Sequence, residues 1–235
     1  MSFALLGFLA AYAVYAIFLG QRGDATEAPR QRPMDYFLQT PLFVLACWCA
    51  AMDGAFSRDL VSPVSIGAGL ALGHVVFFLS LAAVHRGVGD AFGHFLDLPA
   101  LGRFLAESPQ LIFRFLAVSV IEEVIYRAAA QPVLLALTGS AWVAVPLVAA
   151  VFCVTHGHFF RNAFWDSVEF AAFSLLLGML YHWTHSLSLV IVVHTMRNLE
   201  IVFIEFLGKV EELGDEAKAL VAIEAVYQPR PPENA

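Results

Sequence analysis

Two adjacent glutamates, Glu122 and Glu123, lie in an apolar stretch of the chain and are followed by Arg127. On an α-helix, Glu123 and Arg127 share a face and lie within salt-bridge distance, because they are four residues apart. Glu122 is rotated by about 100° from Glu123 and faces no partner on its own helix. Charged groups in an apolar segment are costly and mark functional sites. The spacing therefore predicts that Glu123 pairs with Arg127, and that Glu122, without such a partner, is a candidate general acid or base.

Histidines occur in two further apolar stretches. Phe152 and His156 are four residues apart, as are His194 and Asn198, so each pair is predicted to share a helical face. His194 and Asn198 both have groups that donate hydrogen bonds. Taken alone, His156 is more often an interfacial or satisfied residue than a catalyst. Taken alone, His194 and Asn198 fit hydrogen bonding between packed helices as well as they fit catalysis.

The composition of the chain indicates what kind of protein positions these residues. Of 235 residues, 60% are hydrophobic and 14% are charged, whereas soluble domains have about 45–50% apolar and about 25% charged residues. This composition predicts a polytopic membrane protein with the lipid bilayer as a partner, and it excludes a disordered chain or an ordinary cytosolic enzyme. The formal net charge of −7 argues against nucleic acid as a partner.

Segments of about 20 mostly apolar residues match the length of a bilayer-spanning helix. Seven such segments are present, at residues 2–20, 36–56, 63–85, 109–137, 141–160, 164–184 and 186–207. The predicted fold is all-α, a polytopic transmembrane helical bundle of about seven spans that forms one domain over residues 1–207. Residues 208–235 are predicted to be a cytoplasmic tail, first amphipathic and then disordered over the last eight residues.

Three features outside the motifs predict packing and peripheral structure. Residues 90–107 predict a short helix at the cytoplasmic interface. Gly69 and Gly73 form a small-xxx-small pair in the third span, which predicts close helix packing and no chemistry. In the tail, apolar residues recur at helical spacing, at Val210, Leu213, Ala217, Leu220, Val221 and Ala225.

The remaining charged residues indicate orientation and source. Nine Lys or Arg residues fall on one side of the seven spans and Arg58 alone falls on the other, which predicts an outside N-terminus and a cytoplasmic C-terminus. Arg197, inside the seventh span, is predicted to pair with Glu200 or Glu205. Eleven Arg against two Lys resembles a GC-rich bacterial coding bias. The predicted location is therefore the bacterial inner membrane.

These three groups of residues, in this order, resemble the EExxxR, FxxxH and HxxxN motifs of the CPBP family. This family comprises the CAAX-processing and bacteriocin-related (Abi) intramembrane proteases, and the resemblance covers about residues 109–200. It implies a glutamate-type intramembrane endopeptidase that cleaves a membrane-associated protein or peptide without a covalent acyl-enzyme. The resemblance gives a supporting structural role to three residues, Glu123, Arg127 and Phe152.

The same resemblance implies a catalytic role for four residues. Glu122 and His156 would activate a water molecule, and His194 with Asn198 would form the oxyanion hole for the tetrahedral intermediate. The predicted cofactor is none. Among the substrates of the family, the coding bias favours a bacterial peptide or membrane-anchored protein tail over a prenylated protein.

Two alternatives remain open. A metal-dependent protease is one, since a glutamate and two histidines are also a zinc ligand set, although the HExxH motif is absent. Further histidines that could add ligands are His158, His182 and His185. The other alternative is a non-proteolytic membrane protein, either a scaffold or immunity protein or a proton conduit that uses the buried carboxylates.

Overall fold

The computed structural model describes residues 2–20, 33–58, 62–85, 87–156 and 159–227, and every regular element in these ranges is a helix. A π-helical segment, Val124–Ala130, connects α7 directly to α8. The helices are α1 (Ser2–Gly20), α2 (Pro33–Met52), α3 (Ala55–Arg58), α4 (Pro63–His85), α5 (Val88–Leu96), α6 (Leu98–Glu107), α7 (Pro109–Glu123), α8 (Gln131–Thr138), α9 (Ala141–Thr155), α10 (Phe164–Thr184), α11 (Leu187–Leu213) and α12 (Glu216–Tyr227).

The chain is a helical membrane bundle, as the sequence predicts. Among the described residues, α1, α4, α10 and α11 are long and apolar enough to cross a bilayer. A fifth crossing is formed if α6 and the continuous α7–α8 segment, which meet at 92°, are counted as one bent span. The apolar part of α2, Phe37–Met52, and the apolar helix α9, Ala141–Thr155, are shorter. Each of the seven predicted segments overlaps a helix, whereas four of these helices, or five with the bent pair, meet the length and composition of a membrane span among the described residues.

Local sequence signals account for several helix ends. Pro63 and Pro109 begin α4 and α7, where a missing backbone N–H costs nothing. Gly139 and Gly214 follow α8 and α11 with φ values of 67° and 65°, a left-handed conformation that glycine adopts without strain. The Asp97 side chain caps α6 by accepting a hydrogen bond from the backbone N–H of Ala100.

Helix α11 is the centre of the bundle and packs against α4, α7, α10 and α12. Gly69 and Gly73 let α4 approach it closely. A Cβ atom on Gly69 would lie 2.8 Å from the Cβ atom of Val192, and one on Gly73 would lie 2.7 Å from that of Met196. The prediction that these glycines serve close packing is confirmed.

The segment predicted as one interfacial helix at 90–107 consists of two helices, α5 and α6, separated by Asp97. Leu101 and Phe104 of α6 are buried in a second, smaller core. Ala219 and Ile223 of α12 contribute to the same core. The C-terminal helix therefore packs on the bundle.

The predicted apolar stripe of the tail is right for Val210 and Leu220, which pack against the second core, and wrong for its other four members, Leu213, Ala217, Val221 and Ala225, which are exposed. It treated residues 209–226 as one helix, but Gly214 ends α11 and α12 starts again at Glu216. The break changes the rotation of the second helix, so that Ala219 and Ile223 are buried, whereas Val221 is exposed.

Several predictions fall on residues outside the described ranges. They concern the basic loop at 21–32, Arg86, His158 and the last eight residues, 228–235. The orientation of the bundle therefore stays a prediction from the sequence.

Candidate active site

Glu122 lies between two histidines that belong to other parts of the bundle. Its Oε1 atom is 3.3 Å from Nε2 of His156, and its Oε2 atom is 3.6 Å from Nε2 of His194. Glu122 is on α7, His156 directly follows α9, and His194 is on α11. The carboxylate that faces no partner on its own helix thus meets one partner on each of two neighbouring segments.

The two adjacent glutamates differ in exposure. The side chains of Glu122 and His156 are each 21% exposed, whereas those of Glu123 and Arg127 are 0% and 1% exposed. Glu122 and His156 therefore remain partly exposed, whereas Glu123 is enclosed by protein.

His156 is oriented by the backbone of its own helix. Its Nδ1 atom lies 2.6 Å from the carbonyl oxygen of Phe152. Because a carbonyl oxygen only accepts hydrogen bonds, Nδ1 carries the proton and donates it. In the neutral imidazole, Nε2 is then the unprotonated nitrogen, so its contact with Glu122 becomes a hydrogen bond when the pair takes up one proton, on Nε2 or on the carboxylate.

Glu123 contacts two groups at once. Its Oε2 atom is 3.3 Å from Nε of Arg127, and its Oε1 atom is 2.8 Å from Nδ1 of His194. All three side chains are buried. The predicted i, i+4 pair of Glu123 with Arg127 is present, and the contact with His194 is one that helix spacing alone did not predict.

Arg127 and Gln131 attach this part of the chain to α10. The Nη2 atom of Arg127 donates to the carbonyl and hydroxyl oxygens of Ser174, each at 3.2 Å. One turn further, the side chain of Gln131 donates to the carbonyl oxygen of Gly178 at 2.9 Å. A Cβ atom on Gly178 would lie 2.7 Å from the Cγ1 atom of Val145 on α9, so glycine at this position lets α9 and α10 pack closely.

The ring of Phe152 packs against the polar residues of the site. It is fully buried, and its ring centroid lies 4.4 Å from that of His156 and 6.0 Å from that of His194. The guanidinium carbon of Arg127 lies over the same ring, 4.6 Å from its centroid. The Phe152 ring therefore contacts three polar groups of the site and limits where each of them lies.

The π-helical segment is a feature that sequence reasoning missed. It begins directly after Glu123 and includes Arg127. At its end the backbone N–H of Gln131 donates to the carbonyl of Tyr126, five residues earlier. Pro132 follows and has no backbone N–H, so the α-helical hydrogen bond to the residue four positions earlier is missing here. Wide π-helical turns recur at functional sites, and this proline was the available signal.

Asn198 lies one helical turn beyond His194 on α11 and is half-buried. Its Oδ1 atom is 3.4 Å from Nη1 of Arg197. The structure thus brings Glu122, His156 and His194 into direct contact, and places Asn198 beside an arginine at the next turn.

The predicted pairing of Arg197 with Glu200 or Glu205 is wrong. Arg197 instead pairs with Glu169 of α10, with 2.6 Å between Nη2 and Oε2. Glu200 contacts His74 of α4 at 2.6 Å. Along-helix spacing favoured partners on α11, whereas packing supplies partners on neighbouring helices.

The described residues offer no group of three or more His, Cys, Asp or Glu side chains that is arranged to hold a metal ion. His182 and His185, two of the additional ligand candidates, lie at the C-terminal end of α10 with their rings 6.4 Å apart. His158 lies outside the described residues.

Comparison with known proteins gives one family. Residues 104–199 match the family model described as Type II CAAX prenyl endopeptidase Rce1-like. No curated protein and no solved structure matches the chain. The matched segment begins in α6, ends in α11 and includes all three motifs.

Proposed function

We propose that this chain, whose residues 104–199 match the Rce1-like family of CAAX prenyl endopeptidases, is an endopeptidase that cleaves its substrate within the membrane. The family supports a CAAX-type intramembrane protease in general terms. The proposal adds the residues. Glu122 and His156 activate a water molecule, and His194 and Asn198 bind the oxyanion, without a metal ion or another cofactor.

The position of Glu122 carries this proposal. Its two carboxylate oxygens face Nε2 atoms of two different histidines at 3.3 and 3.6 Å, and its side chain is accessible where that of Glu123 is closed. Hydrolysis needs a base that water can reach and electrophilic groups on the other side of the scissile carbonyl. Glu122 with His156 is suited to act as the base. His194 and Asn198, on α11, are the candidates for the electrophilic groups.

The proposed reaction proceeds in two steps. The water oxygen attacks the carbonyl carbon of the scissile peptide as its proton passes to the Glu122–His156 pair. The resulting tetrahedral intermediate carries a negative oxygen, which His194 and Asn198 stabilise by hydrogen bonds. When the C–N bond breaks, the same proton passes to the leaving nitrogen, so the products are an amine and a carboxylic acid, which then loses its remaining proton to the amine or to water.

The oxyanion role sets a protonation requirement for His194. Glu123 is an acceptor paired with Arg127, so Nδ1 of His194 carries a proton and donates it to Glu123. A neutral His194 then has no proton on Nε2. To donate to an oxyanion from Nε2, His194 must carry protons on both ring nitrogens during the reaction.

For the substrate we propose the tail of a membrane-anchored protein or a membrane-associated peptide in a bacterial inner membrane. The coding bias of the chain supports a bacterial source. The family description names prenylated CAAX substrates, so the prenyl group is the feature to test. The apolar surroundings of Glu122 suit a substrate that enters from the lipid bilayer.

The test is cleavage of two internally quenched peptides by the purified full-length chain in detergent. Both end in cysteine, two aliphatic residues and a variable residue, and only one carries a farnesyl group. We expect the wild-type chain to cleave the unmodified peptide, with products identified by mass spectrometry, and we expect His156→Gln to cleave neither. Cleavage of the farnesylated peptide alone would contradict the proposed substrate. No cleavage, or equal cleavage by His156→Gln, would contradict the proposed protease.

A further inference from the structure

A second buried ion pair lies beside the proposed oxyanion residues. The guanidinium of Arg197, on α11, is 2.6 Å from the carboxylate of Glu169, on α10, and Arg197 is only 7% exposed. The hydroxyl of Ser80, on α4, donates to the same carboxylate. Three helices thus meet at one carboxylate, which fixes where the guanidinium lies.

Arg197 also determines how the amide of Asn198 is oriented. Its Nη1 atom is 3.4 Å from Oδ1 of Asn198. A guanidinium has only donors, so the atom that faces it must be the amide oxygen. The NH2 group of Asn198 therefore points away from Arg197, and this group is the one that an oxyanion requires.

Phe173 connects the same guanidinium to His194. The guanidinium carbon of Arg197 lies over the Phe173 ring at 4.6 Å from its centroid, and the His194 ring meets it edge-on at 5.4 Å. Phe173 follows Glu169 by one turn on α10. One face of α10 thus contacts both Arg197 and His194, and through Arg197 it contacts Asn198.

The alternative is that Arg197 serves only to hold the helices together. An interhelical ion pair with Glu169 needs a positive charge, which lysine also has. Simultaneous contact with a carboxylate, an aromatic face and an amide oxygen needs a planar group with several donors, which lysine lacks. An Arg→Lys substitution therefore separates the two roles.

We propose that Arg197, held by Glu169, is a positioning residue that fixes the side-chain amide of Asn198 with its NH2 group available to the oxyanion. This inference rests on the proposed function, since it assigns the donor role to Asn198. Arg197 acts through Asn198 and does not itself touch the substrate.

The test combines Arg197→Lys and Asn198→Ala, singly and together, with the better-cleaved quenched peptide. We expect Arg197→Lys to lower kcat by about tenfold to a hundredfold with little change in KM, because a small misplacement of a catalytic group is costly. Asn198→Ala should lower kcat by about 10²–10³. In the double variant Arg197→Lys should have no additional effect. Arg114→Lys, at an exposed position on α7, is the matched control and should retain the wild-type kcat.

Multiplicative losses of kcat in the double variant would overturn the proposal, as would a wild-type kcat for Arg197→Lys. A second readout does not depend on cleavage. The chain contains three asparagines, at 162, 198 and 234, so 15N-asparagine labelling gives few side-chain amide signals, and Asn198→Ala assigns one of them. We expect Arg197→Lys to shift the Asn198 NH2 signal. An unchanged signal would overturn the positioning role, whereas a shifted signal in a chain that cleaves no peptide would count against the proposed function alone.

Discussion

The Nδ1 atom of His194 lies 2.8 Å from the Oε1 atom of Glu123, although the two residues are 71 positions apart in the chain. The other oxygen of Glu123 faces Arg127 at 3.3 Å. Glu123 therefore stabilises its own helix through Arg127 and also orients the imidazole of His194. Its neighbour Glu122 meets the opposite ring nitrogen of the same histidine, so two consecutive carboxylates hold one imidazole from both sides.

Replacing Glu123 should destabilise the protein. Glu123→Gln leaves Arg127 buried without its countercharge, and breaking a buried pair from one side costs about 3–5 kcal/mol. Arg127→Gln should have a similar effect. The expected result is a lower midpoint of thermal unfolding in detergent for each single variant.

The double variant Glu123→Gln with Arg127→Gln is the control for that prediction. It removes both charges, so it should recover part of the lost stability, although a neutral amide in place of the Glu123 carboxylate supports His194 less strongly. Losses of stability that simply add in the double variant would show that the two charges do not interact.

Close packing of α4 on α11 can be tested at a single glycine. In Gly73→Ala the new Cβ atom would lie 2.7 Å from the Cβ atom of Met196, so the helices must separate. Overpacking of this kind costs about 1–3 kcal/mol. Gly67→Ala is the matched control on the same helix, because no atom lies within 4 Å of its Cβ position.

We expect Gly73→Ala to unfold at a lower temperature than the wild-type chain and Gly67→Ala to unfold at the same temperature or higher. Equal unfolding temperatures for the two variants would contradict the close approach of α4 and α11.

The sequence predicted the helices and part of the site, because both follow from local spacing. Apolar length located the spans, and i, i+4 spacing found the pairing of Glu123 with Arg127. The motif resemblance to the CPBP family is confirmed by the family match over residues 104–199.

Contacts between helices were less accessible from the sequence. The partner of Arg197 is Glu169, and the second partner of Glu123 is His194, and neither pairing has a periodic signal because each depends on how separate helices pack. The break at Gly214 shows the same limit at short range. An isolated glycine within an apolar helical pattern is usually compatible with a continuous helix, but Gly214 ends α11, and the helix that follows buries a different face.

Cleavage should not depend on a metal ion. The proposed base is the Glu122–His156 pair, and the proposed oxyanion donors are side chains, so EDTA or phenanthroline should leave the rate of peptide cleavage unchanged. Complete inhibition that is reversed by added zinc would instead assign Glu122, His156 and His194 as metal ligands in a metalloprotease.

The orientation of the bundle rests on the positions of Lys and Arg in the sequence. Reporter fusions placed after Arg32, Arg58 and Arg103 should report cytoplasmic, external and cytoplasmic locations in that order. A cytoplasmic signal at Arg58 would contradict the predicted arrangement of spans.

The most direct test of the central claim is the comparison of Glu122→Gln with Glu123→Gln, measuring thermal unfolding and peptide cleavage on the same preparations. Glu122→Gln keeps the shape of the side chain but does not accept a proton from water, so we expect a protein of wild-type stability that does not cleave. Glu123→Gln should be the less stable of the two. Normal cleavage by Glu122→Gln, together with a stable but inactive Glu123→Gln, would contradict the assignment of Glu122 as the catalytic carboxylate.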